Sequence, residues 1–454
     1  MTARLPRLVL AAFVVGLAVH NLVMAELWQA GVRGGTLDVV SAWKEALLAA
    51  ALAAALWSAR RLDRWLLADA LALVYAGFVV LYALLPQDWL GGDASTRGVL
   101  FGLRHDLVPV AAYALGRLAT VSRWDRRALG WLAVAVGAVL SLWGLADVYL
   151  VPLQWWRDSG VPGWFREQLS LQYRCLSGLP ENWIFNTGDE TSPLRRLVAT
   201  FFSPLATAYL LVVAVLFLAA RARVTSGRAV VALLCFAGLL WTHTRAAALA
   251  LAGGLALLAL VQRRWQPLAA AVAVVGVSAG FFALFPSIGP VTSFTAADLA
   301  CQRRVAEQAG PTSGDPFSAG ESSLSGHWRA LEDGVRTVWR HPQGYGLGNA
   351  GTEARRTGRT PLAGESTYTQ LGVETGIAGM LAFVAWVVAV LLSLRRRSAW
   401  LFAAFGAVLA LAIQTDVLGV HWLAYVLFAL AGSALAEPAS GEPLPPPARD
   451  RRLR

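Results

Sequence analysis

A polar cluster interrupts the apolar C-terminal third of the chain, in the sequence GESTYTQ (364–370). It contains one carboxylate, Glu365, close to Ser366 and Tyr368, and a long apolar run follows it. A carboxylate at such a boundary can accept a proton from a hydroxyl group, because partial desolvation raises its pKa toward a useful range. The alternative role is structural, since the helix dipole favours a carboxylate just before the start of a helix.

Two arginines stand apart from the other basic residues of the chain. Arg196 and Arg245 lie at predicted helix ends on the side of the membrane where the positive-inside rule disfavours arginine. A guanidinium group forks onto phosphate oxygens, so the pair predicts a diphosphate-binding site, with Arg195 assisting and His327 as a second polar group of the site. The alternative is that the arginine side chains only reach to the membrane interface.

Three further charges fall inside or near predicted membrane helices. These residues are Lys44, Arg104 and Asp106. Charges within a membrane span are costly and are treated as functional by default. The simplest expectation is that Arg104 pairs with Asp106 and that Lys44 faces a lipid headgroup.

The composition indicates a membrane protein. The chain has 454 residues, of which 57% are hydrophobic and 15% are charged, whereas a soluble protein carries about 25% charged residues. The net charge is +11, but most arginines lie in short loops, which favours membrane topology over nucleic-acid binding. The six histidines are scattered and no metal-binding spacing is present, so we expect no metal and no cofactor.

A membrane-spanning helix needs about 20 mostly apolar residues, and twelve segments meet this description. The stretch 229–262 is too long for one helix, so we predict a break at the sequence THTR (242–245). With twelve spans, both termini lie in the cytoplasm. The predicted spans are 6–26, 38–58, 65–85, 99–119, 129–151, 197–219, 229–244, 246–262, 267–286, 371–393, 399–416 and 420–436.

The spans divide the chain into membrane and loop regions. Residues 287–370 form the larger exported loop, in which two segments have helical spacing. Cys175 and Cys301 fall in different exported loops, where they either form a disulfide or remain free thiols. The regions are 1–151 (helices one to five), 152–196 (an exported loop), 197–286 (helices six to nine), 287–370 (the large exported loop), 371–436 (helices ten to twelve) and 437–454 (a disordered cytoplasmic tail).

Four motifs, in this order and topology, resemble the O-antigen ligase and O-antigen polymerase superfamily over about residues 190–395. The motifs are RRLVATFFSP (195–204), THTRAAALALAGGLALL (242–258), HPQGYGLGNAG (341–351) and GESTYTQLGVETGIAG (364–379). The resemblance implies an all-α integral membrane fold of the GT-C-like type, in the inner membrane of a bacterium, with the active site facing the periplasm. It also implies a glycosyltransferase that uses undecaprenyl-diphosphate-linked donors.

One position departs from the pattern of the ligases. The ligases carry a histidine at the position of Glu365. In this chain Glu365 is followed by Ser366, then by nine further residues, and then by the Gly376–Gly379 motif. We therefore expect Glu365 to be the catalytic base, with Tyr368 nearby and with Arg196, Arg245 and Arg195 on the diphosphate. Attack opposite the leaving group inverts the anomeric centre, and no metal is needed if the arginines neutralise the diphosphate.

The presence of Glu365 in place of the histidine of the ligases favours a polymerase of polysaccharide repeat units. The first alternative is a ligase that transfers a finished glycan to lipid A core or to a protein, and the second is a transporter or flippase of lipid-linked glycans. The expected partners are the lipid-linked oligosaccharide, membrane lipids and a chain-length regulator protein, without nucleic acid.

Overall fold

The computed structural model describes residues 5–58, 64–119, 121–185, 193–221, 225–309, 318 and 322–437. Nearly all of the regular structure in these residues is helical, so the all-α fold class is confirmed. The strands β1 (Ile184–Phe185) and β2 (Leu194–Arg195) form one short antiparallel pair. The predicted disordered tail, from residue 438 onward, lies outside the described residues.

The helices follow one another with short connections in most of the chain. In the first half they are α1 (Leu5–Gln29), α2 (Gly35–Ser41), α3 (Trp43–Ser58), α4 (Leu67–Leu84), α5 (Gln87–Leu90), α6 (Thr96–Leu118), α7 (Arg123–Leu150), α8 (Leu153–Asp158) and α9 (Val161–Gly163), then a π-helical turn (Trp164–Gln168) and two 3₁₀ turns (Glu181–Trp183 and Ala199–Phe201). In the second half they are α10 (Pro204–Ala219), α11 (Ser226–Trp241), α12 (Arg245–Gln262), α13 (Gln266–Ile288), α14 (Ala296–Ala309), α15 (Ser322–Arg340), α16 (Gly351–Arg356), α17 (Thr367–Leu394), α18 (Ala399–Leu411), a π-helical turn (Leu423–Leu427) and α19 (Phe428–Ala436).

The helices account for every predicted membrane span, although not all are long. Among the described residues, six helices are long and apolar enough to cross a membrane, namely α1, α4, α7, α12, α13 and α17. Helices α2 and α3, bent by 44°, give a seventh span if counted together. Helices α10, α11, α18 and the segment Leu423–Ala436 are apolar but shorter, and α6 contains several charged residues. A total of twelve spans stays a prediction.

The predicted break in the stretch 229–262 is present. Helix α11 ends at Trp241 and α12 begins at Arg245. Between them His243 takes a positive φ of 49°, which interrupts the helical path. The backbone N–H of Leu197 donates to the carbonyl of Trp241 at 2.9 Å, so this turn is fixed to the segment that follows β2.

One end of the helix bundle is fastened by a buried ion pair. The guanidinium of Arg117, at the end of α6, donates to the carboxylate of Asp69 on α4 at 2.7 Å and to the carbonyl of Leu435 on α19 at 2.7 Å. Tyr113 donates a further bond of 2.7 Å to Asp69. A buried charge is tolerated when it is paired and hydrogen-bonded in this way.

The two loops that are predicted to be exported are joined to each other. Cys175 and Cys301 form a disulfide with their Cα atoms 5.1 Å apart. Beside it, the guanidinium of Arg157 contacts the carboxylate of Asp298 at 2.8 Å, and the Ser177 hydroxyl donates to the same carboxylate at 2.9 Å. Both helical segments predicted in the large loop are present as α14 and α15.

A glycine-rich loop packs against a kink in α17. Gly376 has φ +69° and ψ 176° within the helix, which breaks its regular path. A Cβ atom at Gly344 would lie 2.4 Å from the backbone nitrogen of Gly376, so only glycine permits this close approach. The N–H of Tyr345 and the carbonyl of Pro342 bond to the two sides of the kink, at Val373 and Ile377. The loop that precedes Glu365 is thereby held against the membrane helix that follows it.

Candidate active site

A large cavity lies between the apolar helices and the two loops that are predicted to be exported. Its volume is about 1100 Å³. Four of the predicted site residues line it together: Arg196, Arg245, His327 and Glu365. These residues are far apart in the sequence, so the fold brings the predicted phosphate-binding and proton-accepting groups to one enclosed space.

Arg196 is oriented by the turn between α11 and α12. Its Nε donates to the carbonyl of Thr242 at 2.9 Å, and its Nη2 lies 3.3 Å from the hydroxyl oxygen of Thr244. Arg245 begins α12 directly after this turn. The turn thus sets both arginines at one wall of the cavity.

His243 occupies the centre of that turn and packs between aromatic rings. Its ring centroid lies 4.3 Å from that of Phe185 and 4.4 Å from that of Phe285. The His243 ring is 4% exposed and packed among aromatic rings, and the positively charged groups of this wall are Arg196 and Arg245.

Glu365 and His327 contact each other in the wall of the cavity. Glu365 precedes α17, whereas His327 comes from α15 in the large exported loop. The carboxylate Oε2 of Glu365 is in hydrogen-bond contact with Nδ1 of His327. The side chains are 36% and 29% exposed, so both remain accessible to a substrate that enters the cavity. A carboxylate and an imidazole in contact form a pair that can accept and hold a proton.

Two of the predicted site residues point elsewhere. Arg195 is 3% exposed, and its guanidinium contacts the carboxylate of Asp147 on α7 at 2.9 Å. Because side chains alternate along an extended segment, Arg195 and Arg196 cannot both face the cavity. The hydroxyl of Tyr368 donates to the carbonyl of Leu409 on α18 at 2.9 Å. Neither residue is among those that line the cavity.

A polar network in the cavity wall was not predicted from the sequence; His105, Glu353 and Asp416 of this network line the cavity. The two ring nitrogens of His105 lie 2.7 Å from the carboxylate of Asp106 and 3.1 Å from that of Asp416. Glu353 is adjacent, and burial raises its pKa although the charge on His105 opposes this. The expected pairing of Arg104 with Asp106 is wrong, because Arg104 instead lies 3.6 Å from the carboxylate of Glu45.

This network is also where a metal ion would have to bind. Among the described residues, ligand atoms of His105, Glu353 and Asp416 lie within 4.8 Å of one another. Both nitrogens of His105 already face carboxylates, as in an imidazolium ion that donates two hydrogen bonds. The arrangement therefore fits a hydrogen-bonded network better than a metal cage. A histidine and an aspartate within otherwise apolar helices were the signal available in the sequence.

The fold and the cavity together define a class: a polytopic helical membrane protein with a cationic, carboxylate-containing cavity under two linked loops. The family model described as O-Antigen ligase matches residues 230–384. The match spans the turn with Arg245, the helix with His327 and the segment with Glu365. It confirms, over these residues, the resemblance to the O-antigen ligase and O-antigen polymerase superfamily. No curated protein matches the chain.

Proposed function

We propose that this protein is a membrane glycosyltransferase that polymerises polysaccharide repeat units from undecaprenyl-diphosphate-linked donors. One observation carries the proposal: Arg196, Arg245 and the Glu365–His327 pair line the same cavity. The match to the O-antigen ligase family supports transfer of a lipid-linked glycan. The reaction takes place on the exterior side of the inner membrane, as the distribution of arginines predicts.

The arginines act on the leaving group. When the bond between the anomeric carbon and the diphosphate oxygen breaks, negative charge grows on the diphosphate. The Arg196 guanidinium, already held in place by Thr242 and Thr244, stabilises that charge without reorganising, and Arg245 adds a second positive charge, which lowers the barrier. Because Arg196 and Arg245 supply two positive charges, the proposed step uses no divalent ion.

The carboxylate acts on the acceptor. Glu365 removes the proton of the acceptor hydroxyl while the oxygen of that hydroxyl forms the new bond to the anomeric carbon. His327 holds the carboxylate in the cavity through their mutual contact. The electron pair of the broken bond remains on the diphosphate, and attack from the opposite face inverts the anomeric centre.

The product identifies the acceptor and separates the proposal from its rivals. The purified protein is reconstituted into vesicles with a lipid-linked oligosaccharide isolated from its host. Longer glycans on the polyprenyl carrier support a polymerase. Transfer to lipid A core or to a protein instead identifies the ligase that the family description suggests. Movement of the unchanged substrate across the bilayer, with neither product, contradicts a transferase and identifies a transporter.

A further inference from the structure

A second group of cations lines the cavity on elements different from those that carry Arg196 and Arg245. Lys44 on α3, Arg104 on α6 and Arg356 on α16 all contribute to its wall. Lys44 is 2% exposed and donates to the carbonyl of Ser41 at 2.7 Å. We call Lys44, Arg104 and Arg356 the second cationic group.

The three cations are neighbours. The guanidinium carbons of Arg104 and Arg356 lie 5.5 Å and 4.4 Å from the centre of the same ring, that of Phe101. One carboxylate, Glu45, lies between Lys44 and Arg104, at 3.5 Å and 3.6 Å from their nitrogens. The carboxylates of Glu353 and Asp38 also act on the charge of Arg356. Burial raises the pKa of Glu353, which favours its neutral form, and the three cations still outnumber Glu45 and Asp38.

Arg356 has the clearest unmet requirement. Within the part of the chain that the structure describes, its buried Nε has no hydrogen-bond partner, and its guanidinium makes no ion pair closer than 4.0 Å. Burial, followed by the charge of Arg104, lowers its pKa to about 10, so it remains charged at pH 7. Arg356 lines the cavity, so an anion that enters the cavity can pair with its guanidinium.

We propose that Lys44, Arg104 and Arg356 form a second anion-binding subsite, which holds the phosphate of the acceptor substrate. The inference rests on the proposed glycan transfer, a reaction that must hold two substrates at once. Fork-shaped guanidinium groups and an ammonium group match the several oxygens of a phosphate. A cavity of about 1100 Å³ exceeds the usual volume for one small ligand and so accommodates two headgroups.

The second anion-binding subsite would position the acceptor substrate and would take no part in the bond-making step. With the donor diphosphate at Arg196 and Arg245 and the acceptor phosphate at the second cationic group, the acceptor hydroxyl is brought toward the anomeric carbon next to Glu365. Holding two reactants in register turns a bimolecular reaction into an effectively unimolecular one. A phospholipid headgroup has the same phosphate chemistry, so the test includes a phospholipid.

The number of bound diphosphates tests the subsite directly. Farnesyl diphosphate is titrated into the purified full-length protein in detergent, and the heat of binding is recorded. The wild type is expected to bind two equivalents. The Arg104→Gln/Arg356→Gln variant is expected to bind one, and the Arg196→Gln/Arg245→Gln variant is also expected to bind one. Arg359→Gln, which removes an exposed arginine near Arg356, is the control and should bind two.

The outcomes separate the subsite from the proposed function. A wild type that binds one equivalent, lost only in the Arg196→Gln/Arg245→Gln variant, overturns the second subsite but leaves the transferase intact. A wild type that binds no farnesyl diphosphate contradicts both. Because the glutamine variants remove charges from the cavity wall, Arg104→Lys/Arg356→Lys is measured too. This variant keeps the two positive charges but lacks the guanidinium groups that can donate two parallel hydrogen bonds. Its second equivalent of farnesyl diphosphate should bind about tenfold more weakly than that of the wild type.

The phospholipid arm identifies the source of the phosphate. Dihexanoylphosphatidylglycerol is added to the wild type at a concentration equal to that of farnesyl diphosphate. It is expected to leave both equivalents of the diphosphate bound. Displacement of one equivalent would show that the subsite holds a bilayer headgroup, and would overturn the assignment to the acceptor.

Discussion

Arg195 and Arg196 are adjacent in the sequence, and the structure predicts opposite consequences when each is replaced by glutamine. Arg195 forms a buried ion pair with Asp147, in which the two side chains are 4% and 1% exposed. Arg196 lines the cavity. Arg195→Gln should therefore reduce stability, whereas Arg196→Gln should reduce the rate of glycan transfer.

The magnitudes follow from the contacts. Removing one partner of a buried ion pair costs about 3–5 kcal/mol, because the other charge is left uncompensated. The indole of Trp156 still donates to Asp147 at 2.7 Å, so we expect the lower end, about 3 kcal/mol. For Arg196→Gln, the loss of a charge-assisted contact of about 1.5–3 kcal/mol with the leaving diphosphate lowers kcat/KM by roughly 10- to 100-fold.

The assay measures both quantities on the same preparations. Thermal unfolding of the purified protein is followed by tryptophan fluorescence, and transfer is followed with the lipid-linked donor and normalised to folded protein. Arg195→Gln should unfold at a lower temperature and keep its normalised activity. Arg196→Gln should unfold close to the wild-type temperature. Equal losses of activity in both variants, without a change in unfolding temperature, would refute the assignment of the two arginines to different roles.

Three further predictions concern the loops and the site. Reduction of the Cys175–Cys301 disulfide, or its replacement by two serines, should lower the free energy of unfolding by about 2 kcal/mol, because the bond closes a long loop. Thermal unfolding measures this change, and an unchanged midpoint under reducing conditions would contradict a stabilising bridge. Glu353→Gln should be more stable than the wild type at pH 8, with a difference that shrinks toward pH 4.5. Burial raises the pKa of Glu353 in the folded protein, so the folded state is disfavoured as rising pH removes that proton, and a difference that grows as the pH falls would show the opposite sign. His327→Ala should lower the rate of transfer about tenfold, because it releases Glu365. The control is Arg336→Ala, on the exposed face of the same helix. Equal rates of transfer in the two variants would show that His327 does not belong to the site.

The sequence predicted the helices well because their signal is local. Apolar length located the long helices α1, α4, α7, α12, α13 and α17, and the arginine and histidine in the sequence THTR marked the break between α11 and α12. The helices of the large loop followed from their spacing. The number of true spans is harder to predict, because α6 crosses the bundle while carrying Arg104, His105 and Asp106.

The side-chain partners could not be predicted from local sequence. His105 contacts Asp416, which is 311 residues away, and no pattern near either residue indicates the contact. Arg195 and Arg196 look equivalent as a dipeptide, and only the path of the chain after β2 shows which one faces the cavity. Lys44 lies in the cavity wall beside Glu45, and the apolar pattern around it gives no sign of a cavity.

The lipid-linked glycans of cells that carry Glu365→Gln test the central claim most directly. Glutamine keeps the shape of the side chain but is not a base at neutral pH. The account predicts normal amounts of the protein in the membrane, together with single repeat units that accumulate on the polyprenyl carrier. Polysaccharide of wild-type length and amount in these cells would contradict the proposal that Glu365 drives glycan transfer in this cavity.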